Sequence, residues 1–167
     1  MGITPEENVA YLEQVLARAK LGAAATAEAM ARYIADRTAS DTLTRNTHAP
    51  GAYHRARPGA PPASASGTLA RSMYWTPASG ELRATAIAGN DARHAKLLEF
   101  GGCVLQPSGG KTMKWKDTGR ETHWHHTRLP VDGQFPEHPF LGPTTDEAID
   151  DGSLRRVAIE EFRKYDP

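Results

Sequence analysis

Met73-Tyr74-Trp75-Thr76-Pro77-Ala78-Ser79-Gly80-Glu81-Leu82-Arg83-Ala84-Thr85-Ala86-Ile87-Ala88-Gly89 decides the fold class. Met73 to Thr76 has strand character, and Pro77 to Gly80 carries turn residues. From Glu81 to Gly89 the residues alternate, so Leu82, Ala84, Ala86 and Ala88 share one face of a returning strand. Side chains that small let another element pack closely above them. The element at hand is N-terminal: Pro5 to about Arg45 reads as one long helix. Thr4 suits the cap, Pro5 the first turn, and Glu6 and Glu7 the positive end of the helix dipole. Val9, Leu12, Leu16, Ala19, Ala23, Met30 and Ile34 recur at spacings of three and four. That narrow stripe fits a core-facing helix or one shared with a neighbouring subunit. Gly22 marks a kink or a close helix contact.

Between helix and hairpin, Thr47 to Ser66 is loop, because prolines at 50, 58, 61 and 62 fix φ and remove donors. Ser66 or Thr68 then caps a short helix carrying Leu69 and Met73. Beyond the hairpin, Arg93 to Phe100 returns to helical spacing with Ala95, Leu97 and Leu98 inward, and Gly101-Gly102 stops it. A last helix runs from about Thr144 to Lys164, capped by Thr144 or Thr145, with Gly152 its weak point. The segment from Gly102 to Glu137 is an insert. Within it Lys111–Lys116 and Glu121–Thr127 read as a hairpin turning at Asp117-Thr118-Gly119-Arg120. Pairing Lys116 with Glu121 sets Trp115 opposite Thr122 and Met113 opposite Trp124. The sequence thus predicts an α+β fold in one domain, 1–167. A long N-terminal helix (1–46) packs on a small antiparallel β-sheet. The loop, short helices and hairpin core occupy 47–101, an inserted β-hairpin arm 102–137, and a Pro-Phe-Leu segment with the C-terminal helix 138–167.

Composition narrows the function classes. Hydrophobic residues make up 39% of the chain, many of them alanine, and Gly 15 with Pro 12 implies much loop. A core this lean points to packing completed by other subunits. Lys+Arg and Asp+Glu both number 20, for a net charge of zero. Proteins that live on phosphate contacts carry a basic excess, so sequence-specific nucleic-acid binding is disfavoured. The apolar runs are too short to span a bilayer, and the N-terminus does not read as a secretory signal. The single Cys103 precludes an internal disulfide, so the chain reads as a soluble product of a reducing compartment.

Enzyme chemistry finds little purchase. His123, His125, His126 and His138 lie near Cys103 and Asp132 in the sequence, and zinc accepts such ligands when three or four converge. On the expected hairpin His123 and His125 share a face with Thr112 and Lys114 while His126 points away, so the strand does not gather them. A small metal-dependent enzyme using this cluster is the alternative of another class. No Gly-x-Ser-x-Gly elbow occurs, and Gly109-Gly110-Lys111-Thr112 lacks the earlier glycine of a phosphate loop, Leu105 standing there. Neither a catalytic residue nor a cofactor is expected.

Three segments in order resemble a known family. Arg57-Pro58-Gly59-Ala60-Pro61-Pro62-Ala63 leads into Ser66-Gly67-Thr68-Leu69-Ala70-Arg71-Ser72-Met73; then come His94-Ala95-Lys96-Leu97-Leu98-Glu99-Phe100-Gly101 and His138-Pro139-Phe140-Leu141-Gly142-Pro143. Their combination is similar to the neck, or tail-completion, family of long-tailed bacteriophages, the gene-product-ten-like group. Ser66, His94 and Gly102 depart from its usual threonine, tyrosine and threonine. The resemblance implies a structural subunit, without enzymatic activity, that joins head to tail as a homohexameric ring between connector and tail. It implies neck, connector and tail proteins as partners, DNA passing through the ring, and a place in the virion after synthesis in the host cytoplasm. A tail-terminator ring of the same neck is the alternative. The structural motif residues are Pro58, Gly59, Leu69, Met73, Leu98, Glu99, Phe100, Gly101, Pro139, Phe140, Leu141 and Pro143. Leu69, Met73, Leu98, Phe100, Phe140 and Leu141 are expected in the core. Met113, Lys114, Trp115, Lys116, Arg120 and Trp124 of the insert are the expected partner interface.

Overall fold

In the computed structural model, residues 5–44, 56–62, 67–80, 83–103, 114–117, 120–123, 134–135 and 137–165 are described. Helix α1 spans Pro5–Arg37 with Glu6 and Glu7 in its first turn. It does not run on as a regular helix to Arg45. A π-helical turn, Thr38–Thr42, ends it, where the Leu43 N–H donates to the Thr38 carbonyl five residues back at 3.0 Å. The hydroxyl of buried Thr38 donates to the Ile34 carbonyl at 2.7 Å, and such back-bonding bends helices.

Next among the described elements come α2 (Thr68–Arg71), strand β1 (Met73–Trp75), strand β2 (Ala88–Asn90) and α3 (Ala95–Phe100). β1 and β2 are antiparallel, with Met73 opposite Asn90 and Trp75 opposite Ala88. Ser79 and Thr85 form one further bridge, out of register with the first ladder by one residue. Pro77, with no N–H to give, lies at the interruption, so the returning strand is shorter than its alternation implies. The alternation itself holds: Arg83, Thr85 and Ile87 are exposed, while Ala84, Ala86 and Ala88 are half-buried. β1 and β2 pack against α1.

Two-residue strands β3 (Gly102–Cys103) and β6 (Gln134–Phe135) pair antiparallel and close the base of the insert. Inside it β4 (Lys114–Asp117) pairs with β5 (Arg120–His123), with Lys116 opposite Glu121 and Trp115 opposite Thr122, the register expected. The anticipated pair of Met113 with Trp124 lies outside the described residues.

The C-terminal helix differs from expectation twice. It begins at Leu141, three residues before Thr144, and it is two helices, α4 (Leu141–Asp150) and α5 (Ser153–Phe162), followed by a 3₁₀ turn, Arg163–Tyr165. The break falls at Gly152, at φ +70°. α5 runs antiparallel along α1. At one end a Cβ on Gly22 would stand 3.1 Å from Tyr165 Cβ and 3.2 Å from the Phe162 ring. At the other, Arg37 binds Asp151 and Ser153 at 2.8 and 2.9 Å. Gly22 is thus a close helix contact: even an alanine there makes Phe162 and Tyr165 give by a few tenths of an ångström.

Because α5 ends beside Gly22, the start of α1 projects past it by roughly 25 Å at about 1.5 Å per residue. From Pro5 to Ala19 every residue is exposed except half-buried Val15. The apolar stripe therefore divides. Ile34 is buried and Met30 half-buried, whereas Val9, Leu12 and Leu16 are 56%, 63% and 53% exposed.

Candidate functional site

The three motif segments, far apart in sequence, meet around the start of α4. The Pro58-Gly59 pair forms a tight turn in which the Ala60 N–H donates to the Arg57 carbonyl at 2.9 Å. Proline presets φ at the second position of a type II turn, and the third needs positive φ, which Gly59 supplies at +79°. This turn docks on the third motif: the Gly59 N–H donates to the Glu137 carbonyl at 3.0 Å, and His138 Nδ1 donates to the Ala60 carbonyl at 3.0 Å. His138 is buried, and its backbone N–H reaches the Leu98 carbonyl of α3 at 2.6 Å.

Glu99 supplies the central device. Its Oε2 accepts from the backbone N–H groups of Phe140 and Leu141 at 2.9 and 3.1 Å, and its Oε1 from Gly142 at 2.8 Å. A helix leaves its first N–H groups unpaired, and a carboxylate there also meets the positive end of the dipole. The next residue, Pro143, has no N–H. One carboxylate from a different helix therefore caps every free donor of the first turn of α4. Thr144 and Thr145 are not the caps expected: their hydroxyls donate backward, to the Phe140 carbonyl at 2.6 Å and the Leu141 carbonyl at 2.8 Å. With its proton committed to Phe140, the Thr144 oxygen accepts from buried Thr42 at 2.6 Å, which ties the π-helical turn to α4.

Beneath this clasp Phe140, Leu69, Ala95 and Leu43 form one buried cluster, with Met73, Leu98 and Leu141 packed against it. Phe140 is 2% exposed. Five of the six expected core residues thus meet. Phe100 does not; it is 72% exposed. Ala95 and Leu98, three residues apart, turn the same way, and Phe100 lies two further on, about 200° round the helix, so α3 cannot bury it with Leu98. Leu43 and Thr42 were missed because they fall where the stripe of α1 breaks into the π-helical turn.

A second polar site lies where α1 ends. A shallow groove of about 380 Å³ is lined by Tyr33, Asp36, Arg37, Ser40, Asp41, Asp151, Ser153 and Arg156. Arg37 donates to Tyr33, Asp151 and Ser153 at 3.2, 2.8 and 2.9 Å, with Glu147 at 3.7 Å. Ser153, through its hydroxyl and its backbone N–H, and then Arg37 hold the Asp151 carboxyl down at about 2. The arrangement locks the α4–α5 turn to α1 rather than presenting a cation to a ligand.

The expected interface residues Lys114, Trp115 and Lys116 lie on β4 and Arg120 on β5. Met113 and Trp124 lie outside the described residues, as do His125, His126 and Asp132. Among the described residues no three His, Cys, Asp or Glu side chains gather as a metal site, and no helix is long and apolar enough to cross a membrane. In comparisons with known proteins, no family model, no curated protein and no solved structure matches this chain.

Proposed function

We propose that this chain is a structural, non-enzymatic subunit of the neck of a long-tailed bacteriophage, where it completes the tail and joins it to the head as a ring of identical copies. The observation that carries the reading is the clasp. The segments that resemble the neck family are the ones that bind one another, Pro58-Gly59 to His138 and Glu99 to the start of α4. A chance likeness of short motifs gives no reason for them to meet in one cluster.

Two further features support it. Buried apolar side chains among the described residues are Ala31, Ile34, Ala35, Leu43, Leu69, Ala95, Phe140 and Ala148, half of them alanine. At the same time Leu12, Ile87, Phe100 and Ile149 are left more than half exposed. A subunit that finishes its packing in an assembly has this balance. The insert, closed at its base by β3 and β6, is the proposed arm, with Trp115 and Trp124 as the proposed anchors and Met113, Lys114, Lys116 and Arg120 as further proposed partner contacts. The ring is sixfold to match the tail it meets, with DNA passing through it and connector and tail proteins on either side.

The test is removal of the gene from the phage that encodes it. Filled heads and finished tails of regular length should accumulate unjoined, and adding the purified protein should join them. Tails of uncontrolled length would assign the chain to tail termination instead. Normal joined particles would refute the proposal.

A further inference from the structure

We infer that the free chain pairs with a second copy of itself through the projecting start of α1, the two helices lying antiparallel with Leu12 of each against Leu16 of the other. The inference stands apart from the neck reading, because it rests on this one surface.

The exposed stripe has the period of a helix–helix seam. Val9, Leu12, Leu16, Ala19 and Ala23 follow spacings of three and four, two positions per heptad, narrower than the face a globular core takes up. Left uncovered, this seam keeps Val9, Leu12 and Leu16 more than half exposed to water. With Leu12 against Leu16, Val9 of each copy lies against Ala19 of the other. The two domain bodies then sit at opposite ends of the pair, clear of each other.

Charge selects both occupant and direction. Glu6, Glu13 and Lys20 repeat at spacing seven along one edge of the stripe, and among the described residues none makes an ion pair. In antiparallel pairing like edges face each other, so Glu6 of each copy lies across from Lys20 of the other, twice per pair. In parallel pairing that edge faces Asn8, Val15 and Gly22, which offer no charge. Glu13 falls near the dyad, close to its own copy, and there the pairing is weakened. A two-fold pair cannot itself close a ring, so this is the pairing of the free chain, and assembly into a single ring parts it.

The test is the dissociation constant of the full-length chain by sedimentation equilibrium, with circular dichroism to check each variant's fold. The parent should form a dimer that weakens in high salt. Leu12→Glu should leave a folded monomer, since Leu12 is exposed. Glu6→Lys and Lys20→Glu should each weaken the dimer several-fold, the two together should restore it, and Glu13→Gln should tighten it. A parent that stays monomeric, a Leu12→Glu protein that still dimerises, or a charge swap that fails to rescue would each overturn the inference.

Discussion

Replacing Glu99 by alanine probes the clasp directly. The substitution removes the acceptor of three backbone N–H groups at 2.9, 3.1 and 2.8 Å. Hydrogen bonds to a charged group contribute about 1.5–3 kcal/mol each. Gly142 is exposed, so water can take over its bond, and the loss falls on Phe140 and Leu141, which the cluster shields. Because these two share one oxygen, the cost is taken as about 3 kcal/mol, above the usual range of about 0.5–2 kcal/mol for losing a local cap. For a chain of this size each kcal/mol moves the melting temperature by about 2–4 °C, so Glu99→Ala should melt roughly 6–12 °C lower. Glu99→Gln keeps one acceptor oxygen and should lose about half as much. The assay is thermal unfolding followed by circular dichroism at fixed protein concentration. A Glu99→Ala protein melting within about 2 °C of the parent would refute the claim that this carboxylate holds α4 in place.

Three other outcomes follow from the same geometry. Phe140→Asp puts a carboxylate at a position 2% exposed, at a cost of several kcal/mol, comparable with the stability of a small domain; the variant should not fold, and a soluble form with the parent's melting temperature would contradict the core assignment. Asp151 has its carboxyl held at about 2, below its ordinary 3.8, so its stabilisation is present above about pH 4 and lost as pH falls toward 2; in urea titrations across that range Asp151→Asn should lack this part of the acid transition, and identical profiles would contradict it. Replacing Val104–Gly133 with a few Gly and Ser residues should leave a folded chain with the parent's melting temperature, because β3 and β6 hold Cys103 opposite Gln134. Loss of folding would place part of the insert in the core.

What the sequence revealed depended on the range of the physics involved. The alternation of Ala84, Ala86 and Ala88 against exposed Arg83, Thr85 and Ile87 was legible, because period two is local and one-sided burial enforces it. The register of β4 and β5 followed from the short turn between Asp117 and Arg120. The helical spacing of α3 placed Ala95 and Leu98 correctly, but motif likeness put Phe100 inward against that same spacing. The cap of α4 was hidden for another reason. Threonine after Pro143 looks like a local cap, whereas the acceptor is Glu99, forty-one residues before Phe140 and adjacent only in the fold. The stripe of α1 showed an apolar face; where its cover stops depends on where α5 ends.

Virion composition tests the central claim most directly. Cryo-electron microscopy of the intact phage, with a tag on this chain and quantitative mass spectrometry of the same particles, gives its place and its copy number. The account predicts a single ring at the junction of head and tail, with copies in the sixfold number of one ring per particle. Absence of the chain from purified virions, or its distribution along the tail or through the shell, would contradict it.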